Sequence, residues 1–244
     1  MMLCGTFCFA SYNQFKLLLK NETIMTTNFN SMMNTFKSAS LVVVMGVLMA
    51  CQGETIAQTV DETKYKPVTS TFSVSTGDKI EVVELFWFGC GHCFALEPHV
   101  KTWLKDSKPD NVEFVKVPAL FSKRWEFHGQ AFYTMEILGV EQEVYDAFFK
   151  SIHVNRKPIN NLNSLVDFMA NFGKSKEEVE SAFNSFAVDT KMRNARKITR
   201  ASGARGVPAM VVDGKYLTSQ QNAGGTKELF DVVNQLAAKA AAER

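Results

Sequence analysis

The sequence predicts an α/β fold interrupted by an inserted α-helical subdomain, and three observations predict it. The β-rich run Lys79–Phe88 ends at Gly89, Cys90-Gly91-His92-Cys93 follows at once, and helical spacing begins behind the second cysteine. A second β signal lies far downstream, where Val207-Pro208 opens the apolar stretch Ala209–Val212 and Asp213-Gly214 turns it back. The 114 residues between Cys93 and Pro208 far exceed the roughly 30 of a βαβ crossover, and most of them follow a helical period.

At the N-terminus, Lys37 precedes Ala39–Ala50, an uncharged run too short for the ~20 residues of a spanning helix but of secretory h-region length. The order of cation, apolar run and small residues is that of an export signal. Residues 1–31 show no sustained period, and Met25, Met32 and Met33 are alternative starts. Thr55-Ile56-Ala57 is one cleavage site and gives a leader of residues 1–57. Leu48-Met49-Ala50-Cys51 resembles a bacterial lipobox and gives a second reading, with a lipid on Cys51.

With 46% hydrophobic and 21% charged residues, the 244-residue chain has a globular profile. Its formal charge of +2, from 27 basic and 25 acidic side chains, is too even for a phosphate-neutralising surface, so nucleic acid is not an expected partner. The cysteines stand at 4, 8, 51, 90 and 93, so beyond the leader Cys90 and Cys93 pair only with each other. Exported proteins use disulfides as staples that close long loops. A bridge across two residues closes almost no loop, so its purpose is chemistry rather than stability.

The strand before the motif is rich in β-branched and aromatic residues, and Phe94, Leu96, Val100, Trp103 and Leu104 behind it have helical spacing. Cys90 therefore sits where a helix begins. Unpaired N–H groups and the positive end of the macrodipole favour a thiolate there, making Cys90 the nucleophile and a good leaving group. His92 reads as an electrostatic neighbour of that thiolate, the alternative being an exposed loop histidine. Zinc knuckles also use Cys-x-x-Cys, but no second Cys/His pair at ligand spacing follows, and neither metal nor cofactor is expected. Every second residue of the strand gives Ile80, Val82, Glu84, Phe86 and Phe88, an apolar row with one carboxylate in its middle. Burial would raise the Glu84 pKa and fit it to exchange a proton with Cys93; the alternatives are a wet sheet face or pairing with a lysine.

Val112–Val117 reads as the second strand, ending at Pro118. Helices are then expected at Trp125–Leu138, Gln142–Ile152, Leu162–Asn171 and Ser175–Phe186, the last opened by a Ser175/Glu178 capping box, with Gly139, Pro158 and Gly173 between them. Lys191, Arg193, Arg196, Lys197, Arg200 and Arg205 read as a solvated helix face. The aromatic set Phe121, Trp125, Phe127, Phe132, Tyr133, Phe148 and Phe149 reads as core. His128 and His153 have no motif context and receive no role. Thr226–Ala242 reads as a C-terminal helix.

Phe88-Gly89-Cys90-Gly91-His92-Cys93 resembles the active site of the thioredoxin superfamily, with Glu84 six residues before the first cysteine and Pro98 five after the second. Arg205-Gly-Val-Pro-Ala-Met210 and the following Gly-Lys-Tyr resemble the DsbA family in particular, and Glu97 matches an acidic position of its first helix. The resemblance covers nearly all of residues 60–244. It implies a thioredoxin-like fold in two parts, 58–120 and 188–244, around a helical subdomain at 121–187. It implies a cis Val207-Pro208 bond against the dithiol and a Val207 backbone that pairs with extended substrate. It further implies a monomeric periplasmic oxidase that gives its disulfide to reduced exported proteins and is reoxidised by a DsbB-like membrane quinone reductase. An isomerase or reductase of the same fold, and a redox-idle binding protein or chaperone, are the alternatives.

Overall fold

The structure, a computed structural model, describes residues 60–244; the alternative starts, both cleavage sites and Cys51 lie outside them. Two short segments precede the motif: β1 (Lys66–Pro67) and β2 (Ile80–Phe86), the latter buried along its whole length. After the motif come α1 (Gly91–Asp106) and β3 (Val112–Pro118). Five helices follow without an intervening strand: α2 (Lys123–Ile137), α3 (Glu141–His153), α4 (Leu162–Ala170), α5 (Lys176–Phe183) and α6 (Phe186–Ser202). The chain then returns to the sheet with β4 (Ala209–Val212) and β5 (Tyr216–Thr218) and ends in α7 (Gln220–Ala223) and α8 (Thr226–Ala242).

The sheet order is β1-β5-β4-β2-β3. β2 pairs in parallel with β3, from Ile80 opposite Val112 to Phe86 opposite Pro118, and antiparallel with β4, from Val82 opposite Val212 to Leu85 opposite Ala209. An internal strand covered on both faces needs apolar residues at nearly every position, which accounts for the unbroken Val/Leu/Phe run of β2. β4 and β5 form the expected hairpin. Asp213 and Gly214 both have positive φ, 53° and 61°, the pattern of a type I′ turn. At Gly214 a Cβ would lie 2.2 Å from the Phe72 carbonyl oxygen, so backbone crowding reserves the position for glycine.

Two apolar clusters hold the layers. Ile80, Val82, Met210 and Val212 pack with Leu96, Val100 and Trp103 of α1 and with Leu229, Val233 and Leu236 of α8. The other cluster joins the end of β2 to the helical insertion: Phe86 lies 5.2 Å from Phe132, and Phe88 4.3 Å from Phe148 and 5.0 Å from Phe149. Phe121 departs from the expected core set, being 42% exposed at the turn before α2.

Helix ends follow local chemistry. The Ser175/Glu178 capping box forms, but its helix stops at Phe183 rather than Phe186. Ser185 accepts from the Val188 N–H and starts a new helix, α6, a second N-cap that interrupts the apolar period. Lys191 to Arg200 of the basic stretch lie on α6 as a solvated face, with Lys191 paired to Glu136 and Arg196 to Glu126, while Met192, Ala195 and Ile198 face inward; Arg205 lies beyond the helix, exposed.

Candidate active site

Cys90 is the N-cap of α1, and its Sγ accepts from the Cys93 N–H at 3.3 Å. A short residue in extended conformation, φ −92° and ψ 114°, lets the side chain fold back over the open first turn. Both cysteines are free thiols. The Cys90 pKa falls to about 6 from an ordinary 9.0. The hydrogen bond from the Cys93 thiol is the largest cause; burial opposes it, and the N–H groups of Cys93 and His92 and the His92 charge add to it. Cys93 is fully buried, and burial, followed by its interaction with Cys90, pushes its thiol far up. One half-buried, acidic sulfur thus stands in front of one fully buried, protonated sulfur.

The distal β signal meets this pair. The Val207-Pro208 bond is cis, and the Val207 carbonyl oxygen accepts from the Cys90 thiol at 3.5 Å across 117 residues of sequence. His92, Arg205, Val207, Pro208, Gln220 and Thr226 are among the residues lining an open groove of about 1140 Å³ beside the dithiol. The structure therefore brings Cys90, Cys93, His92, Val207 and Pro208 together.

Glu84 lies beneath them, 0% exposed, and it has a partner that the strand pattern alone left open. Lys116 Nζ donates to Glu84 Oε2 at 2.9 Å, to Glu97 Oε1 at 2.6 Å and to the Tyr145 hydroxyl at 2.9 Å. The Tyr145 hydroxyl donates to Glu97 Oε1 at 2.7 Å, and Glu84 Oε1 has no partner among the described residues. Burial raises the Glu84 pKa even against the Lys116 charge. For Lys116 burial is the largest influence and acts downward, but Glu84 and Glu97 together outweigh it and hold the cation. Glu84 also raises the Cys93 pKa through its charge.

Lys116 and Tyr145 escaped the sequence reading. For Lys116 a signal existed: aligning the two parallel strands places it directly opposite Glu84. Trp87 and His153 also surround the motif. The Trp87 indole stacks on Trp125 at 4.3 Å, and His153 Nε2 lies 2.8 Å from the Phe88 carbonyl oxygen. His128 is buried, with its pKa lowered to about 4 chiefly by desolvation, and stays neutral. Among the described residues no group of three or more His, Cys, Asp or Glu could hold a metal ion.

Comparison with known proteins agrees with this geometry. Residues 126–237 match the DSBA-like thioredoxin domain model. The thiol:disulfide interchange protein DsbA of Pseudomonas aeruginosa is 43% identical over 176 residues, 72% of this chain and 83% of that protein. The chain belongs to the DsbA family. The DsbA of Pseudomonas syringae pv. tomato is 37% identical over 206 residues, covering 84% of this chain and 94% of that one. The crystal structure of Pseudomonas aeruginosa DsbA superposes with a TM-score of 0.69 at 43% identity, over 74% of this chain and 95% of that one. Membership of the DsbA family makes the chain a thiol:disulfide oxidoreductase with a thioredoxin-like fold.

Proposed function

We propose that this DsbA-family chain is a periplasmic oxidase that donates the Cys90–Cys93 disulfide to reduced exported proteins. A substrate thiolate attacks Cys90 Sγ of the disulfide, forming a mixed disulfide and displacing the Cys93 thiolate, which takes a proton. A second substrate thiolate then attacks the substrate sulfur of that bond, forming the substrate disulfide and releasing Cys90 as thiolate. Two electrons pass from substrate to enzyme. The observation that carries the reading is the pairing of a Cys90 pKa of about 6 with a buried, high-pKa Cys93. An acidic Cys90 is the better leaving group and stabilises the reduced enzyme, so electrons flow toward the dithiol.

Glu84 serves as the proton reservoir for Cys93, because its raised pKa lets it hold a proton nearer neutrality than an ordinary carboxylate and its charge is felt at Cys93. His92 favours the Cys90 thiolate electrostatically. Val207 and Pro208 form the backbone edge against which an extended substrate lies in the groove while its cysteine reaches Cys90. A DsbB-like membrane quinone reductase restores the disulfide, and the working unit is a monomer.

Oxidation of a reduced dithiol peptide, followed by mass spectrometry, tests the scheme. Cys90→Ser should abolish turnover, whereas Cys93→Ser, mixed with the peptide in its disulfide form, should trap it on Cys90, the Cys90 thiolate displacing one peptide sulfur as a thiolate with no Cys93 to reverse the bond. An adduct on Cys93, or turnover without Cys90, would contradict the assignment. Cell fractionation and the mass of the mature chain test export and the cleavage site.

A further inference from the structure

We infer that His153 is a positioning residue for the dithiol, reaching from the helical insertion to hold the two chain segments that flank the Cys-x-x-Cys motif. His153 is the last residue of α3, and its Nε2 faces the Phe88 carbonyl oxygen at 2.8 Å. A carbonyl only accepts, so Nε2 carries the proton and the imidazole donates. The same ring stacks on Phe94, with centroids 5.1 Å apart and planes at 10°, and leans on Phe149 at 5.9 Å. Phe88 is the last apolar residue before Gly89 and Cys90, and Phe94 follows Cys93 directly. One side chain therefore grips both the exit of β2 and the first turn of α1.

Those two points bound the geometry on which the thiolate depends. The Cys90 N–H donates to the Trp87 carbonyl at 2.9 Å, and the Cys90 Sγ accepts from the Cys93 N–H at 3.3 Å. The packing of Phe88 on Phe148 and Phe149 is apolar and sets burial, not the direction of the Phe88 carbonyl. The hydrogen bond from His153 supplies that direction. Nothing in the local sequence around the cysteines encodes this constraint; it comes from the insertion.

The inference rests on Cys90 being the attacked thiol, and the experiment separates the two ideas. Thiolate absorbance near 240 nm is titrated in the reduced exported protein and in two variants. His153→Phe keeps a ring on Phe94 but has no donor; His153→Gln keeps a donor but loses the stack. The Phe variant should raise the Cys90 pKa by about half a unit to one unit, the scale of one net hydrogen bond, and make the dithiol a weaker oxidant against glutathione. The Gln variant should stay close to wild type. A wild-type titration in His153→Phe, accompanied only by a lower melting temperature, would overturn the inference, as would equal shifts in both variants. Nitrogen-15 NMR of the unaltered protein needs no variant: the imidazole should be protonated at Nε2, and the opposite tautomer would refute the hydrogen bond. If wild-type Cys90 titrates like free cysteine, it is the proposed function that fails.

Discussion

Replacing Lys116 with methionine removes the cation from beneath the dithiol while keeping the length of the side chain. The ammonium makes three hydrogen bonds, to Glu84, Glu97 and Tyr145, and the two carboxylate side chains are 0% and 8% exposed. Stripping one partner from a buried ion pair costs about 3–5 kcal/mol when the remaining charge stays ionised. A domain of this size loses roughly 2–4 °C of melting temperature per kcal/mol, so a fall of about 6–20 °C is expected at pH 8. The cost depends on pH with a definite sign. Burial already raises the Glu84 pKa in the folded protein, and removing Lys116 raises it further. A carboxyl whose folded pKa lies above its unfolded one binds more protons folded than unfolded, so stability is lost as pH rises from the ordinary carboxylate range through the raised value. As pH falls toward the ordinary carboxylate range the variant can protonate Glu84 and shed part of the penalty. Urea unfolding of the reduced proteins at pH 5 and pH 8 measures both numbers. A loss below about 1 kcal/mol at pH 8, or the same loss at both pH values, would refute the claim that Lys116 neutralises a buried carboxylate pair.

Three further outcomes are expected. Iodoacetamide should alkylate Cys90 of the reduced protein with a rate that titrates near pH 6 and leave Cys93 unmodified, as mapped by peptide mass spectrometry; labelling of Cys93 first would contradict the burial order. Because the folded Cys90 pKa is depressed, the reduced form should gain stability relative to the oxidised form as pH rises from about 6 to 9, and melting curves of both forms that stay parallel across this window would count against it. Gly214→Ala should destabilise the fold by about 2–4 kcal/mol, since its φ of 61° and a Cβ 2.2 Å from the Phe72 carbonyl combine strain with a backbone clash; a melt unchanged from wild type would show that the turn relaxes.

The redox motif was legible because its chemistry is local. A strand, a tight turn and a helix start within a few residues place Cys90 at an N-cap, and the same spacing separates a half-buried thiol from a fully buried one. The β4–β5 hairpin and α8 were legible for the same reason: Asp213-Gly214 and the apolar period of Thr226–Ala242 are self-contained signals. Lys116, Tyr145 and His153 were not, since each acts on the motif through a tertiary contact from another element. The Glu84 alternatives show the boundary well. Strand alternation places the carboxylate on the buried face, but only the parallel register of β3 shows that a lysine meets it there. Phe121 shows the reverse failure, an aromatic whose composition suggested core and whose turn position left it at the surface.

The equilibrium of the Cys90–Cys93 pair with glutathione, read in the wild-type protein by separating oxidised and reduced forms, tests the central claim most directly. With Cys90 titrating near 6 and held by the first turn of α1, the account predicts a dithiol favoured over the disulfide, with a potential at or above roughly −180 mV, the value of a disulfide isomerase. A potential near roughly −270 mV, that of thioredoxin, would mean that the pair keeps its disulfide and serves as a reductant, contradicting donation to exported proteins.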